Sequence, residues 1–142
     1  MILSSESKLI KNELRDKSVR GDILSIVDTT VSNVSIITCN AGSIRSNHYH
    51  KKDFHFMYVL DGKIDYFYRN ILTEEIKYLS VLPGQNIFTP NKEIHATYFP
   101  VDTKLIVSSC NPRDQSTYEE DTVRVEFLNK ENLQEMLNKY AN

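Results

Sequence analysis

The residues best suited to chemistry in this chain are its four histidines, at positions 48, 50, 55 and 95, three of them within eight residues. His48 and His50 are spaced i, i+2, so on a strand both rings face one side. In the run Phe54-His55-Phe56-Met57-Tyr58-Val59-Leu60, successive side chains of a strand point to opposite faces. Phe54, Phe56, Tyr58 and Leu60 share one face; His55, Met57 and Val59 share the other. A histidine inside an apolar strand is desolvated or ligated, and on a barrel-lining face it points where His48 and His50 point. His95 opens a later strand that a barrel can bring alongside. Taken singly, each reads as an ordinary hydrogen-bonded core or surface histidine. Clustered histidines are the usual pattern for a divalent transition metal such as Zn, Fe, Mn or Ni.

The elements that must position these side chains are short. Strands are expected at 22–28, 32–39, 54–60, 63–69, 74–81, 86–89, 95–99, 104–109 and 122–127, in runs rich in Val, Ile, Tyr, Phe and Thr. Asp61-Gly62 carries a two-residue hairpin signal, and Pro83-Gly84 marks another turn. Many short strands at close spacing predict an all-β sandwich or barrel. At the C-terminus, Leu133, Met136, Leu137 and Tyr140 fall on one helical face of a helix at about 130–140, with Asn129 as candidate N-cap. The segment around Leu9 to Leu14 reads equally as a short helix or an edge strand.

The chain has 142 residues, 40% of them hydrophobic and 25% charged, with a formal net charge of -2. These values suit a single domain over residues 1–142. The balanced charge argues against a nucleic-acid partner, and no apolar run reaches membrane-spanning length. The first residues lack a signal-peptide core, so a cytoplasmic location is expected. Cys39 and Cys110 form no CxxC pair and read as two reduced thiols. The face carrying Phe54, Phe56, Tyr58 and Leu60 is expected to pack on a second sheet or on a partner subunit, with a homodimer as the expected assembly.

Two segments resemble the paired motifs of the cupin family. Residues 42–62 run Gly42, five residues, His48-Tyr49-His50, four residues, His55, six residues, Gly62, with His55 where the family has Glu. Residues 84–99 run Gly84, five residues, Pro90-Asn91-Lys92, two residues, His95; Lys92 replaces the middle Gly and Phe99 stands where Asn is usual. The resemblance implies a double-stranded β-helix (jelly-roll barrel) and a metal held by His48, His50, His55 and His95. Shorter stretches resemble cupins of deoxy-sugar pathways. Arg45-Ser-Asn-His48-Tyr49 and Val19-Arg20-Gly21-Asp22 resemble nucleotide-sugar 3,5-epimerases, while His48-Tyr-His50-Lys51-Lys52 resembles sugar-nucleotide 3,4-ketoisomerases.

The implied function is isomerisation or epimerisation of a sugar or nucleotide sugar in surface-carbohydrate biosynthesis. That chemistry needs a base beside a carbonyl and something to stabilise an enediolate. His48 is the candidate base, with His50 as partner. Tyr49, Tyr66 and Tyr68 are candidate proton donors, although a core or rim role is the simpler reading of each tyrosine. Arg45 and Arg20 could grip phosphate, Lys51 and Lys52 could attract an anionic substrate, and Tyr66 could contact it. The run Tyr118-Glu119-Glu120-Asp121 reads as a solvated acidic turn. A histidine bound to metal cannot also accept a substrate proton, so the two roles compete. The alternatives are a metal-dependent dioxygenase or lyase acting on a small acid or carbonyl compound, and a non-catalytic cupin that binds a small ligand.

Overall fold

A computed structural model describes residues 3–141. In chain order the strands are β1 (Lys8–Ile10), β2 (Glu13–Ser18), β3 (Gly21–Ser25), β4 (Asn33–Cys39), β5 (Ile44–His50), β6 (His55–Asp61), β7 (Ile64–Asn70), β8 (Lys77–Val81), β9 (Asn86–Thr89), β10 (Glu93–Tyr98) and β11 (Thr103–Ser109). Helix α1 (Gln115–Asp121), β12 (Thr122–Arg124) and helix α2 (Leu133–Tyr140) complete the chain. One five-stranded sheet has the order β1-β9-β6-β11-β4 and a second the order β12-β5-β10-β7-β8; β2 and β3 form a separate hairpin arm. From β4 to β11 the chain changes sheet at every step except β7–β8, which makes this a jelly roll.

The alternation read in the sequence sets the inward faces. Met57 and Val59 from β6, Tyr66 from β7, and Leu105 and Val107 from β11 meet between the sheets with Phe99. The second sheet is buried on its outer face too. There Phe67, Ile94 and Ala96 pack against Phe127, Leu128 and Met136, with Leu133, Leu137 and Tyr140 of α2 alongside. The expected helical stripe therefore serves this outer layer.

Three local expectations change, and one open choice is settled. Asp61-Gly62 is not a hairpin, because β6 and β7 lie in different sheets; it is the corner between them. Gly62 has φ +97°, and a Cβ there would sit 2.3 Å from Thr103 Oγ1 and 2.6 Å from the Asp102 carbonyl, so a turn-type sequence here serves close backbone approach. Around Leu9 to Leu14 the chain forms strand: β1 is the edge of the first sheet and β2 half of the arm. The acidic run at 118–121 belongs to α1, capped by Asp114, whose carboxylate accepts from Thr117 N at 3.0 Å. Asn129 does not cap α2, which starts after Asn132; its Oδ1 accepts from the amides of Glu131 and Asn132, closing the turn before the helix.

Candidate functional site

Three of the four histidines come from one sheet and the fourth from the sheet facing it. His48 and His50 lie on β5, and His95 sits opposite His48 on β10. The pairing of β10 with β5 slips between His95 and Ala96, which faces Ser46, so Asn47 is the extra residue of a bulge. Ser46 and Asn47 have φ of 72° and 57°, a left-handed conformation that Asn adopts more readily than most residues. Asn47 fixes the bulge by gripping Leu128: its Oδ1 accepts from the Leu128 amide and its Nδ2 donates to the Leu128 carbonyl, both at 2.8 Å. Lys92 keeps the left-handed conformation, with φ 56°, at the position where the cupin motif carries Gly. Its amide donates to the His50 carbonyl at 2.7 Å, tying the two motifs together.

The rings cluster tightly. Centroids of His48 and His50 are 4.6 Å apart, His48 and His95 4.8 Å, His55 and His95 5.3 Å, and His50 and His55 5.9 Å. One ring nitrogen from each of His48, His50 and His95 lies within 4.8 Å of the other two. His55 borders this trio from the opposite sheet. His48, His50 and His55 line a chamber of about 110 Å³ with Ile37, Met57, Phe99, Leu105 and Val107, and Arg45, Arg113 and Tyr118 also line it. His95 lies behind this wall, with 0% exposure.

Burial holds all four rings neutral at pH 7. Desolvation drives His48 down to about 2 and His95 to about 3, and pushes His55 well below its ordinary value. Burial also lowers His50, but the Asp121 carboxylate opposes it. Asp121 Oδ2 lies 3.4 Å from His50 Nδ1, and Thr122 Oγ1 lies 3.4 Å from the same nitrogen. The Thr122 hydroxyl donates to the Tyr118 carbonyl at 2.6 Å, so both neighbours of His50 Nδ1 are acceptors. Nδ1 therefore carries the proton and Nε2 keeps its lone pair. The same logic fixes His95: its Nδ1 donates to the Glu93 carbonyl at 3.1 Å, and its buried Nε2 has no hydrogen-bond partner among the described residues.

Asp121 is held in turn. Its two oxygens accept from the amides of Lys52 and Asp53 at 2.8 and 3.0 Å. Asp53, also buried, accepts from the Asn111 amide at 2.8 Å, and burial raises its pKa. The three groups His50, Asp53 and Asp121 lie close enough to form a second polar set. Backbone amides already occupy the carboxylates, so this set is an orienting frame behind His50.

Of the other candidates, one joins the chamber and the rest fall elsewhere. Arg45 lines the chamber. Tyr49 does not: it alternates with His48 and His50, so it faces the outer layer and packs beside Ile94 and Phe127. Tyr66 is fully buried; its ring stacks on His95 at 6.1 Å and its hydroxyl bonds Ser7 at 2.7 Å and Thr89 at 2.6 Å, placing it in the core and outside the chamber wall. Arg20 is exposed at the tip of the β2–β3 arm, where Arg20-Gly21 serves the turn and lines no part of the chamber. Lys51 and Lys52 are exposed; Lys51 Nζ donates to the Glu120 carbonyl at 3.0 Å, and neither lines the chamber. Sequence reading missed Asp121, Arg113 and Tyr118. Nothing in the run Glu119-Glu120-Asp121 marks which carboxylate turns inward; only the fold does.

This architecture is the cupin double-stranded β-helix that the two motifs implied, with a short C-terminal helix. Solved structures share it across nearly the whole chain. QdtA, a sugar 3,4-ketoisomerase from Thermoanaerobacterium thermosaccharolyticum in complex with TDP, superposes with a TM-score of 0.68 at 18% identity, covering 96% of this chain and 98% of its own. A 3,4-ketoisomerase from Helicobacter canadensis matches at 0.68 and 14% identity, covering 94% and 98%. WlaRA, a TDP-fucose-3,4-ketoisomerase from Campylobacter jejuni, matches at 0.67 and 13%, covering 82% and 87%. No family model and no curated protein matches the sequence.

Proposed function

We propose that this protein is a nucleotide-sugar isomerase that moves a carbonyl between neighbouring carbons of a keto-deoxysugar, as in 3,4-ketoisomerisation. The observation that carries the reading is the adjacent pair of neutral imidazoles lining one chamber, one of them backed by a carboxylate. A 4-keto sugar has a C3–H made acidic by the C4 carbonyl. His50 Nε2 takes that proton, and the C3–H electron pair becomes the C3–C4 double bond of an enediolate. The C4 oxygen gains a proton, the C3 hydroxyl loses its own, and the proton held on His50 goes to C4. The product is the 3-keto isomer, with no net change in atoms.

The carboxylate sits on His50 and not on His48, so the base assignment moves to His50, with His48 as the proton carrier between the two oxygens. Arg45 supplies positive charge to the enediolate oxygens. The ketoisomerases named above support the substrate class by likeness of fold. The test is incubation with TDP-4-keto-6-deoxyglucose in D2O. The reading expects deuterium at C4 of a 3-keto product, lost in His50→Asn; absence of exchange with wild-type protein overturns it.

A second reading is favoured by His95, whose buried Nε2 has no hydrogen-bond partner among the described residues. Such an atom is costly unless a ligand meets it. His48, His50 and His95 would hold a divalent transition metal, with His55 bordering them. The Glu93 carbonyl and the Asp121 carboxylate would orient the rings from behind. The donor set fits: neutral imidazoles with fixed tautomers suit Zn, Fe, Mn or Ni. When bound, such an ion supplies a Lewis acid for a carbonyl oxygen. An elemental scan of protein purified without a nickel column tests this reading, which expects a stoichiometric ion lost in His95→Ala. A metal-free wild-type protein overturns it.

A further inference from the structure

We propose that Ser7, in the segment leading into β1, is a positioning residue for the histidine cluster: it holds both residues that flank His95, and through them the back wall against which His48 packs. The proposal rests on the isomerase reading above and adds what keeps its proton carrier in place.

Ser7 meets Glu93 and Tyr66 at once. It is 3% exposed, and Glu93, Tyr66 and Thr89 around it are buried too. Its amide donates to Glu93 Oε2 at 3.0 Å, its hydroxyl donates to Glu93 Oε1, and the same hydroxyl bonds that of Tyr66 at 2.7 Å. The Tyr66 hydroxyl also bonds Thr89 Oγ1 at 2.6 Å. Each hydroxyl has a single proton to give. With Ser7 donating to the carboxylate, Tyr66 donates to Ser7 and Thr89 donates to Tyr66, so the chain runs one way and ends on Glu93. Thr89 lies opposite His55 in the pairing of β9 with β6.

Both partners of Ser7 act on His95. The Tyr66 ring stacks on the His95 ring at 6.1 Å, with 9° between their planes. The Glu93 carbonyl accepts from His95 Nδ1 at 3.1 Å. Among the described residues Nε2 has no partner, so the Nδ1 bond is the hydrogen bond that orients this ring. Glu93 opens β10 straight after the left-handed Lys92. Its carbonyl thus sits at a strand end, where the grip of its side chain on Ser7 adds an anchor. The His95 ring in turn packs edge-on against His48 at 4.8 Å and lies 5.3 Å from His55. Ser7 itself lines no part of the chamber, so its influence passes through His95.

Stability alone does not call for a polar chain here. Apolar groups of the same shape can replace a buried hydrogen-bonded pair at little cost, whereas a satisfied chain of hydrogen bonds specifies one arrangement. The arrangement specified is that of the ring beside the proton carrier. The site therefore depends on a segment that lies 86 residues before Glu93 in the chain.

The test is nitrogen NMR of the imidazoles together with isomerisation kinetics, on wild type, Ser7→Ala and Tyr66→Phe, with thermal melts as a folding check. His95 signals are identified by their absence in His95→Asn. Tyr66→Phe keeps the ring and cuts the link from its other end, so it carries the test where Ser7→Ala does not fold. The His95 resonances are expected to shift or double in both variants. Those of His50, held separately by Asp121 and Thr122, are expected to stay in place. A misplacement of ~1 Å costs about 100-fold in rate, and Ser7 acts at one remove, so kcat is expected to fall about tenfold with KM held within about twofold. A merely structural serine would lower the melting temperature and move neither readout. Unmoved His95 resonances in either folded variant overturn the proposal, as does a loss that falls on KM alone. The two readings fail separately. Isomerisation by wild type, with His95 signals and kcat unmoved in Ser7→Ala, removes the role of Ser7 and leaves the isomerase. Displaced His95 signals in Ser7→Ala, without any isomerisation by wild type, do the reverse.

Discussion

Replacing Asp121 by Asn tests the claim that a carboxylate makes His50 the base. The substitution is nearly isosteric, yet it removes the charge and turns one acceptor oxygen into an NH2 group. Three donors depend on that carboxylate: the Lys52 amide at 2.8 Å, the Asp53 amide at 3.0 Å and His50 Nδ1 at 3.4 Å. An Asn oxygen satisfies one amide and leaves the other facing a donor, at a cost of about 1–3 kcal/mol for a buried group. Thr122 Oγ1 still accepts from His50 Nδ1, so the ring keeps its orientation and loses mainly its electrostatic support. Burial is then unopposed, and the imidazole becomes a weaker base. A positioned general base contributes ~10²–10⁴ in rate, so Asp121→Asn is expected to slow C–H exchange by about 100-fold while lowering the unfolding free energy by about 2 kcal/mol. The assay is deuterium incorporation at saturating keto-sugar, paired with urea unfolding at the same pH. A folded Asp121→Asn protein exchanging within threefold of wild type would refute the argument and leave Asp121 a structural residue.

Acid should destabilise the protein steeply. His48 and His95 fall from 6.5 to about 2 and about 3 on folding, so below pH 6.5 the unfolded chain binds protons that the folded chain refuses. Stability is intact above pH 6.5 and drops by up to roughly 3 kcal/mol per unit below it; equal urea midpoints at pH 7.5 and 5.5 would contradict this. Gly62→Ala should cost at least ~2 kcal/mol, since its Cβ meets Thr103 and the Asp102 carbonyl at a positive φ, as thermal melting can check. Lys92→Gly should gain about 0.5–1 kcal/mol, because relief of a left-handed Lys outweighs the added chain entropy; a lower melting temperature would count against that. Asn47→Ala should lose about 2 kcal/mol by freeing both Leu128 backbone groups and straining the bulge, measured by urea unfolding.

The inward strand faces were legible because burial imposes a period of two. Met57 and Val59 alternate with Phe56 and Tyr58 in the sequence as they do in β6. The four histidines were legible as a set through motif spacing, and that spacing tolerates exchange at single positions. Lys92 shows why: the backbone there needs a left-handed residue, and Lys supplies the conformation at some cost. β5 itself was hard to read. Arg45-Ser46-Asn47 has no β character, and its geometry depends on Asn47 holding Leu128, which lies 81 residues away. Asp61-Gly62 misled because turn residues report a sharp change of direction and not which strands then pair. Tyr49 misled for a simpler reason: neighbours in a strand point to opposite faces, so adjacency to two site histidines argues against membership of the site. Asp121 was invisible because its neighbours Glu119 and Glu120 are equally acidic, and only α1 turns one of the three inward.

The isomerase and metal readings compete for the same atom. His50 has one proton, held on Nδ1 by Asp121 and Thr122, and one lone pair, on Nε2. An ion on that lone pair removes the base, while a base there must stay free of metal between turnovers. His95 is under no such conflict. It lies behind the chamber wall, and no group among the described residues meets its lone pair. The orphaned His95 Nε2 therefore favours a ligand for His95 without deciding the state of His50. A metal held by His95 and His48 alone would leave His50 free to take protons, but would deny His48 its task as proton carrier. Metal stoichiometry in His50→Asn separates the cases: an ion retained there alongside lost C–H exchange assigns the two histidines different tasks, and an ion lost with exchange makes His50 a ligand first.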